Sequence, residues 1–147
     1  MFRRVWIAVL GMLAVGALTL TAAGCGNSPS EPSDSAPYSQ TDLVFGSGAS
    51  AEEGKTLTVG YTGWFYDSTA ADKKGMQFTT SSMAGPAVFI AGANTVIEGW
   101  ERGVIGMKEG GTRRLVIPPS LAYGPNRYAA IPPNATLVFD IELIKVE

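Results

Sequence analysis

The 147-residue sequence contains no histidine and a single cysteine, Cys25. A catalytic triad that uses histidine as its base is therefore excluded, and so is a Cys/His pair. A zinc site would have to consist of carboxylates alone, and the scattered acids are predicted to lie on solvated surfaces. Examples are Glu52, Glu53, Glu98 and Glu101. We therefore expect no metal and no cofactor.

Charged residues are also scarce. They make up 16% of the chain, and 11 basic residues face 13 acidic ones. This balance excludes a basic surface for nucleic acid, so no nucleic-acid partner is expected. One cysteine cannot form a disulfide within the chain, so the fold must be stabilised by packing. The 46% of hydrophobic residues suffices for one globular domain of about a hundred residues.

The N-terminal residues have the pattern of an export signal. Arg3 and Arg4 precede an uncharged apolar run over residues 5–20, which gives way to small residues before Cys25. The alternative is a transmembrane helix, but the run is at the short end of the roughly 20 residues that a span requires. The pattern therefore predicts a signal peptide over residues 1–24.

The segment at residues 22–25 (AAGC) resembles the lipobox of bacterial lipoproteins, in which the cysteine is acylated and becomes the first residue after cleavage. Ala22 stands where the lipobox usually has leucine, and a signal peptide without lipidation is the alternative. Lipidation of Cys25 would attach the protein to the membrane. We expect an exported protein that is lipid-anchored to the bacterial cell envelope. Cleavage before Cys25 would remove Arg3 and Arg4 but no acidic residue, so the cleaved chain would have nine basic and 13 acidic residues and a net charge of −4.

Residues 25–42 are rich in serine and proline and contain one aromatic residue, Tyr38. Such a composition cannot bury enough apolar surface to offset the chain entropy lost on folding. We interpret it as a flexible linker, which puts the folded domain at residues 43–147.

Within this domain, alternating apolar and polar residues predict strands. The predicted strands cover residues 43–45, 56–61, 64–66, 77–79, 88–90, 112–117 and 135–143. The last of them is the clearest, because its apolar residues recur at every second position from Ala135 to Leu143.

One short helix is predicted between the strands. Ile97, Trp100 and Val104 share one helical face. Gly99 and Gly103 each cost about 1 kcal/mol of helix propensity, so we expect them to mark a close approach of the helix to the sheet. The fold class is α+β, an antiparallel sheet wrapped against one helix.

The domain contains four short motifs, at residues 61–63 (YTG), 96–103 (VIEGWERG), 122–124 (AYG) and 131–143 (IPPNATLVFDIEL). Together they closely resemble the FKBP-type peptidyl-prolyl isomerases over nearly all of residues 43–147. The resemblance implies a twisted antiparallel β-sheet half-wrapped around one short α-helix, with an apolar pocket between them. It also implies that the protein isomerises X-Pro bonds.

The resemblance also implies the roles of the pocket residues. Those in the catalytic pocket are Tyr61, Phe78, Trp100, Tyr123 and Phe139, and those expected to bind substrate are Phe89, Val96, Ile97, Ile131 and Thr79. Trp100 would form the floor on which the proline ring lies. The backbone N–H of Ile97 and the Tyr123 hydroxyl would each hold a substrate carbonyl.

Two residues depart from the family pattern. After Phe78 the family usually has aspartate, whose carboxylate bonds the pocket tyrosine, and here the residue is Thr79. A second family aromatic is replaced by Ala87, and the loop at 125–130 is slightly shorter. We therefore predict a weaker isomerase that binds rapamycin-type macrolides with reduced affinity.

The leading hypothesis is a monomeric isomerase that assists the folding of exported proteins, with proline-containing peptides and unfolded exported proteins as partners. The runner-up is a peptide-binding or chaperone module that keeps the pocket but turns over poorly. A third alternative is a structural surface lipoprotein in which the fold is incidental.

Overall fold

The computed structural model describes residues 35–147. The predicted signal peptide, the lipobox with Cys25 and most of the predicted linker lie outside the described residues. The elements in chain order are β1 (Ser39–Val44), β2 (Thr56–Tyr66), β3 (Lys74–Thr80), α1 (Ser81–Ala84), β4 (Ala87–Ile90), α2 (Glu98–Val104), β5 (Thr112–Ile117), a 3₁₀ helix (Pro119–Leu121) and β6 (Leu137–Val146).

The strands form one antiparallel sheet in the order β1-β5-β6-β2-β3. The long strand β2 pairs with β6 along one edge, and its other edge is shared by β4 and β3. This architecture confirms the predicted antiparallel sheet with a short helix. The additional helix α1 was not predicted, because four residues are too few to show helical periodicity. No helix among residues 35–147 is both long enough and apolar enough to cross a membrane.

The core lies between α2 and the sheet. Along β6, Ile141 and Leu143 are fully buried and the intervening Glu142 is exposed, as the alternation predicted. The strand begins at Leu137, two residues after its predicted start at Ala135.

The glycines of α2 lie directly against β5, as predicted. A β-carbon added to Gly99 would lie 2.4 Å from Ile117 Cγ2, and one added to Gly103 would lie 2.4 Å from Leu115 Cδ1. Carbon atoms pack at about 3.5–4.0 Å, so the helix could not approach the sheet this closely if either residue had a side chain.

The prediction that Glu101 is solvated is wrong. Its side chain is only 8% exposed, and its Oε2 accepts a hydrogen bond from the Gly92 N–H at 2.7 Å. This hydrogen bond satisfies one carboxylate oxygen, whereas Oε1 is buried without a hydrogen-bond partner among residues 35–147. Glu98, one position before the buried face begins, is exposed and pairs with Arg102.

The fold begins before the predicted boundary at residue 43. Strand β1 starts at Ser39, and the Tyr38 hydroxyl donates to the Gly99 carbonyl oxygen at 3.3 Å. Asp42 accepts two hydrogen bonds from Arg113, at 2.6 and 3.2 Å. Arg113 also donates to the Gly103 carbonyl at 2.9 Å, so this guanidinium joins β1 to the end of α2. Residues 38–42 therefore belong to the folded domain rather than to the linker.

Candidate active site

A cavity of about 580 Å³ lies between α2, the sheet and the loop that follows the 3₁₀ helix. This volume lies in the usual range for a small-molecule pocket. Its lining is mostly aromatic and aliphatic, and consists of Tyr61, Phe78, Thr79, Ala87, Thr95, Val96, Ile97, Trp100, Tyr123, Tyr128, Ala129, Ala130, Ile131 and Phe139. Nine of the ten predicted pocket residues are thus brought together.

Trp100 is surrounded by other aromatic rings. Its side chain is 6% exposed, and its indole meets the rings of Tyr61 and Phe139 edge to face, with both centroid distances 5.2 Å. Such pairs contribute roughly 0.5–1.5 kcal/mol each beyond the buried area. The indole is therefore held in one orientation beneath the cavity.

A second row of rings continues from Phe139 along the sheet. Phe139 meets Phe78 edge to face at 5.7 Å, and Phe78 stacks on Phe65 at 4.8 Å. These contacts fix the wall of the cavity on the β3 side.

Gly63 provides the space into which this wall packs. A β-carbon on Gly63 would lie 2.6 Å from Phe139 Cε1, 2.8 Å from Thr79 Cγ2 and 2.9 Å from Phe78 Cζ. The side chains of these three residues therefore pack against Gly63 in the space that a side chain at this position would occupy. Sequence analysis identified Gly63 only as part of a motif and did not predict this steric role.

Phe89 is the one predicted pocket residue that does not line the cavity. It is 6% exposed and packs against Trp100 with ring centroids 6.1 Å apart. Ala87 and Phe89 share one face of β4, since they are two residues apart, and it is Ala87 that lines the cavity. The prediction that Phe89 lines the cavity is therefore wrong, and this residue lies in the core beside the indole.

Several hydrogen-bond donors of the cavity-lining residues have no acceptor among residues 35–147. They include the Tyr61 hydroxyl, the Tyr123 hydroxyl, the Ile97 backbone N–H and the buried Trp100 indole N–H. Burial raises the pKa of the Tyr123 hydroxyl above its usual value near 10, and the nearby Tyr128 and Tyr61 hydroxyls raise it further. At neutral pH this hydroxyl is therefore protonated and can act as a donor.

Five lining residues were not among the ten predicted pocket residues: Ala87, Thr95, Tyr128, Ala129 and Ala130. Three of them lie in the loop at 125–130, for which the sequence indicated only a shorter length than usual. No periodic pattern marks an irregular loop, so their position at the cavity became evident only from the fold.

Comparison with known proteins identifies the family of the chain. The model for the family described as FKBP-type peptidyl-prolyl cis-trans isomerase matches residues 48–144. The chain belongs to this family. Peptidyl-prolyl cis/trans isomerisation is therefore its enzymatic activity, as the sequence analysis predicted.

Individual FKBP relatives align over most of their own length. The FK506-binding protein of Neisseria meningitidis serogroup B is 42% identical over 106 residues, which cover 71% of this chain and 92% of that protein. FK506-binding protein 1 of Gibberella zeae is 44% identical over 108 residues, 73% of this chain and 96% of that one.

Solved structures have the same fold. FkpA from Escherichia coli superposes with a TM-score of 0.63 and 38% identity, covering 75% of this chain and 48% of that chain. AtFKBP13 superposes with a TM-score of 0.62 and 33% identity, covering 75% of this chain and 93% of that chain. This chain thus spans about half the length of FkpA and nearly all of AtFKBP13.

Proposed function

We propose that the proline ring of a substrate lies on the Trp100 indole and that the cavity favours the twisted form of the X-Pro amide. Rotation of this amide has a barrier of about 18–20 kcal/mol because resonance is lost, and it needs neither a proton transfer nor a nucleophile. The observation that carries the proposal is an open, mostly apolar cavity that contains unpaired hydrogen-bond donors.

The physical chemistry of the cavity suits this reaction. The planar amide is more dipolar than the twisted amide, so an aromatic cavity that excludes water destabilises the planar form more. To shorten a lifetime of about a hundred seconds to about a millisecond, the site must supply about 7 kcal/mol of differential stabilisation. Shape and desolvation would supply most of it.

Two donors would hold the peptide on either side of the rotating bond. We assign the Ile97 N–H to one substrate carbonyl and the Tyr123 hydroxyl to another. Both line the cavity, and neither has a protein acceptor in the part of the chain that the structure describes. With both flanking carbonyls held, rotation is confined to the imide bond.

We expect Thr79→Asp to raise kcat/KM several-fold and to strengthen the binding of rapamycin-type macrolides. Thr79 lines the cavity beside Phe78, and no side chain among residues 35–147 bonds the Tyr61 hydroxyl. A carboxylate there would accept from that hydroxyl, and a charge-assisted bond is about twice as strong as a neutral one. Isomerisation rates and macrolide dissociation constants measure the effect. Thr79→Asn is the uncharged control, and no gain in Thr79→Asp would contradict the proposed role of the missing carboxylate.

The unpaired Tyr61 hydroxyl also favours a second candidate, a peptide-binding or chaperone module with weak turnover. A protease-coupled isomerisation assay on an X-Pro-Phe peptide separates the two. A rate enhancement by the wild-type chain supports the efficient enzyme. Peptide binding with little enhancement supports the binding module.

We further propose that the protein acts on exported proteins from a lipid anchor on the cell envelope. The support is the sequence pattern at residues 1–25, where a charged start, an apolar run and small residues precede Cys25. The clients would be exported proteins whose folding is limited by proline isomerisation.

Cells that express the wild-type chain should incorporate labelled palmitate into it, and Cys25→Ser should abolish the label and release the protein from the membrane fraction. The reason is that the cysteine sulfur is the atom acylated in bacterial lipoproteins. Ala22→Leu, which restores the usual lipobox residue, is the matched control and should leave labelling intact. Label retained by Cys25→Ser would refute the anchor.

A further inference from the structure

The ring of Tyr128 covers the ring of Tyr123 at the edge of the cavity. Their centroids are 4.4 Å apart and their planes differ by 10°, and both residues line the cavity. Tyr123 packs against the hydrophobic core, whereas Tyr128 is 57% exposed and is not part of that core. The aromatic contact of Tyr128 is therefore the stack on Tyr123, and its ring contributes little to the packing of the domain.

A tight hairpin holds Tyr128 in this position. Its N–H donates to the Ile131 carbonyl at 3.1 Å, and the Ile131 N–H donates back to the Tyr128 carbonyl at 2.8 Å. Ile131 is buried in the core. Between them Ala129 has φ of +48°, a conformation that a residue with a side chain keeps only where its surroundings enforce it. The hairpin therefore ties the stacked ring to the core through Ile131.

The backbone around Tyr123 is also fixed. Its carbonyl accepts from the Asn126 N–H at 3.3 Å, and the Gly124 carbonyl accepts from the Asn134 N–H at 2.8 Å. The Tyr123 hydroxyl has no protein partner among residues 35–147, so no hydrogen bond orients it. The direction of a phenol hydroxyl depends on the torsions of its ring, and here the stack with Tyr128 restricts those torsions.

We propose that Tyr128 is a positioning residue, which holds the Tyr123 ring so that its hydroxyl points at the substrate carbonyl. This inference rests on the proposed function, in which the Tyr123 hydroxyl donates to substrate. It assigns a role to a loop residue that none of the four sequence motifs contains.

The test compares isomerisation by the full wild-type chain, Tyr128→Phe, Tyr128→Leu, Tyr123→Phe and the double variant Tyr123→Phe/Tyr128→Leu. Tyr128→Leu should lower kcat/KM about five- to tenfold, the factor carried by one ordinary hydrogen bond, with an unchanged unfolding midpoint. Tyr128→Phe keeps the stack and should remain within about twofold of wild type. In the Tyr123→Phe background, Tyr128→Leu should cause no further loss, because the hydroxyl that it positions is gone.

Three outcomes would overturn the proposal: no loss in Tyr128→Leu, an equal loss in both backgrounds, or no effect of Tyr123→Phe. Ring-proton NMR shifts of Tyr123 give a readout independent of turnover, since a stacked ring moves them upfield. They should return toward free-tyrosine values in Tyr128→Leu and not in Tyr128→Phe. A wild-type chain that shows these shifts but no turnover would refute the proposed function and leave the positioning in place. Absent shifts would refute the positioning itself.

Discussion

Phe139→Ala should lower kcat/KM for X-Pro-Phe peptides by about a hundredfold, equivalent to roughly 2.7 kcal/mol of transition-state stabilisation. Within residues 35–147, Phe139 is the one ring that contacts both the Trp100 indole and Phe78, each edge to face. Its loss removes one wall of the cavity, frees the indole and admits water to the place where the amide must rotate. A protease-coupled assay measures the effect.

A matched control is available in the same core. Phe89 is as buried as Phe139 and also contacts Trp100, but it does not line the cavity. Phe89→Ala and Phe139→Ala should each lower the free energy of unfolding by about 3–5 kcal/mol, whereas Phe89→Ala should keep most of the activity. If both variants lose activity equally, destabilisation rather than the cavity wall explains the loss, and the proposed role of Phe139 fails.

Gly99→Ala should lower the free energy of unfolding by about 1–3 kcal/mol, although alanine is a better helix former than glycine by about 1 kcal/mol. The new β-carbon would lie 2.4, 2.8 and 2.9 Å from Cγ2, Cδ1 and Cγ1 of Ile117. The helix must then move away from β5, which also shifts the adjacent Trp100. The midpoint of urea unfolding measures the loss.

A double variant shows whether this contact is the cause. Ile117→Ala removes all three clashing atoms, and alone it should cost about 2–5 kcal/mol because it leaves a cavity. In Gly99→Ala/Ile117→Ala the new methyl fills part of that cavity, so the combined loss should be smaller than the sum of the two. Arg102→Ala, on the exposed side of α2, controls for helix propensity. A fully stable Gly99→Ala would contradict the close approach.

The periodic parts of the fold could be predicted from the sequence because burial sets their period. Ile141 and Leu143 alternate with exposed residues on β6, and the two glycines of α2 correctly predicted that this helix lies close to the sheet. The residues of the site were predicted from the order and spacing of the four motifs, not from the periodicity of apolar residues. Nine of its ten predicted residues line one cavity for that reason.

The remaining features depend on contacts between segments that no local pattern encodes. Glu101 is buried, and one of its carboxylate oxygens accepts a hydrogen bond from the backbone N–H of Gly92, nine residues away. Phe89 and Ala87 share a strand face, but Phe89 packs against the indole and Ala87 lines the cavity. The alternation along the strand does not encode this difference. Tyr38 and Asp42 lie in a serine- and proline-rich segment, but their partners Gly99 and Arg113 are on α2 and β5.

The crowding at Gly63 bears on how substrate preference can change in evolution or in the laboratory. Any side chain there would displace Phe139, Thr79 and Phe78 together, so a substitution at position 63 cannot be used to reshape the inner wall. Ala87 and Ala130 line the cavity outside the contacts with Gly63. Changes in peptide selectivity are therefore expected at these two positions, while the wall formed by Phe78 and Phe139 is retained.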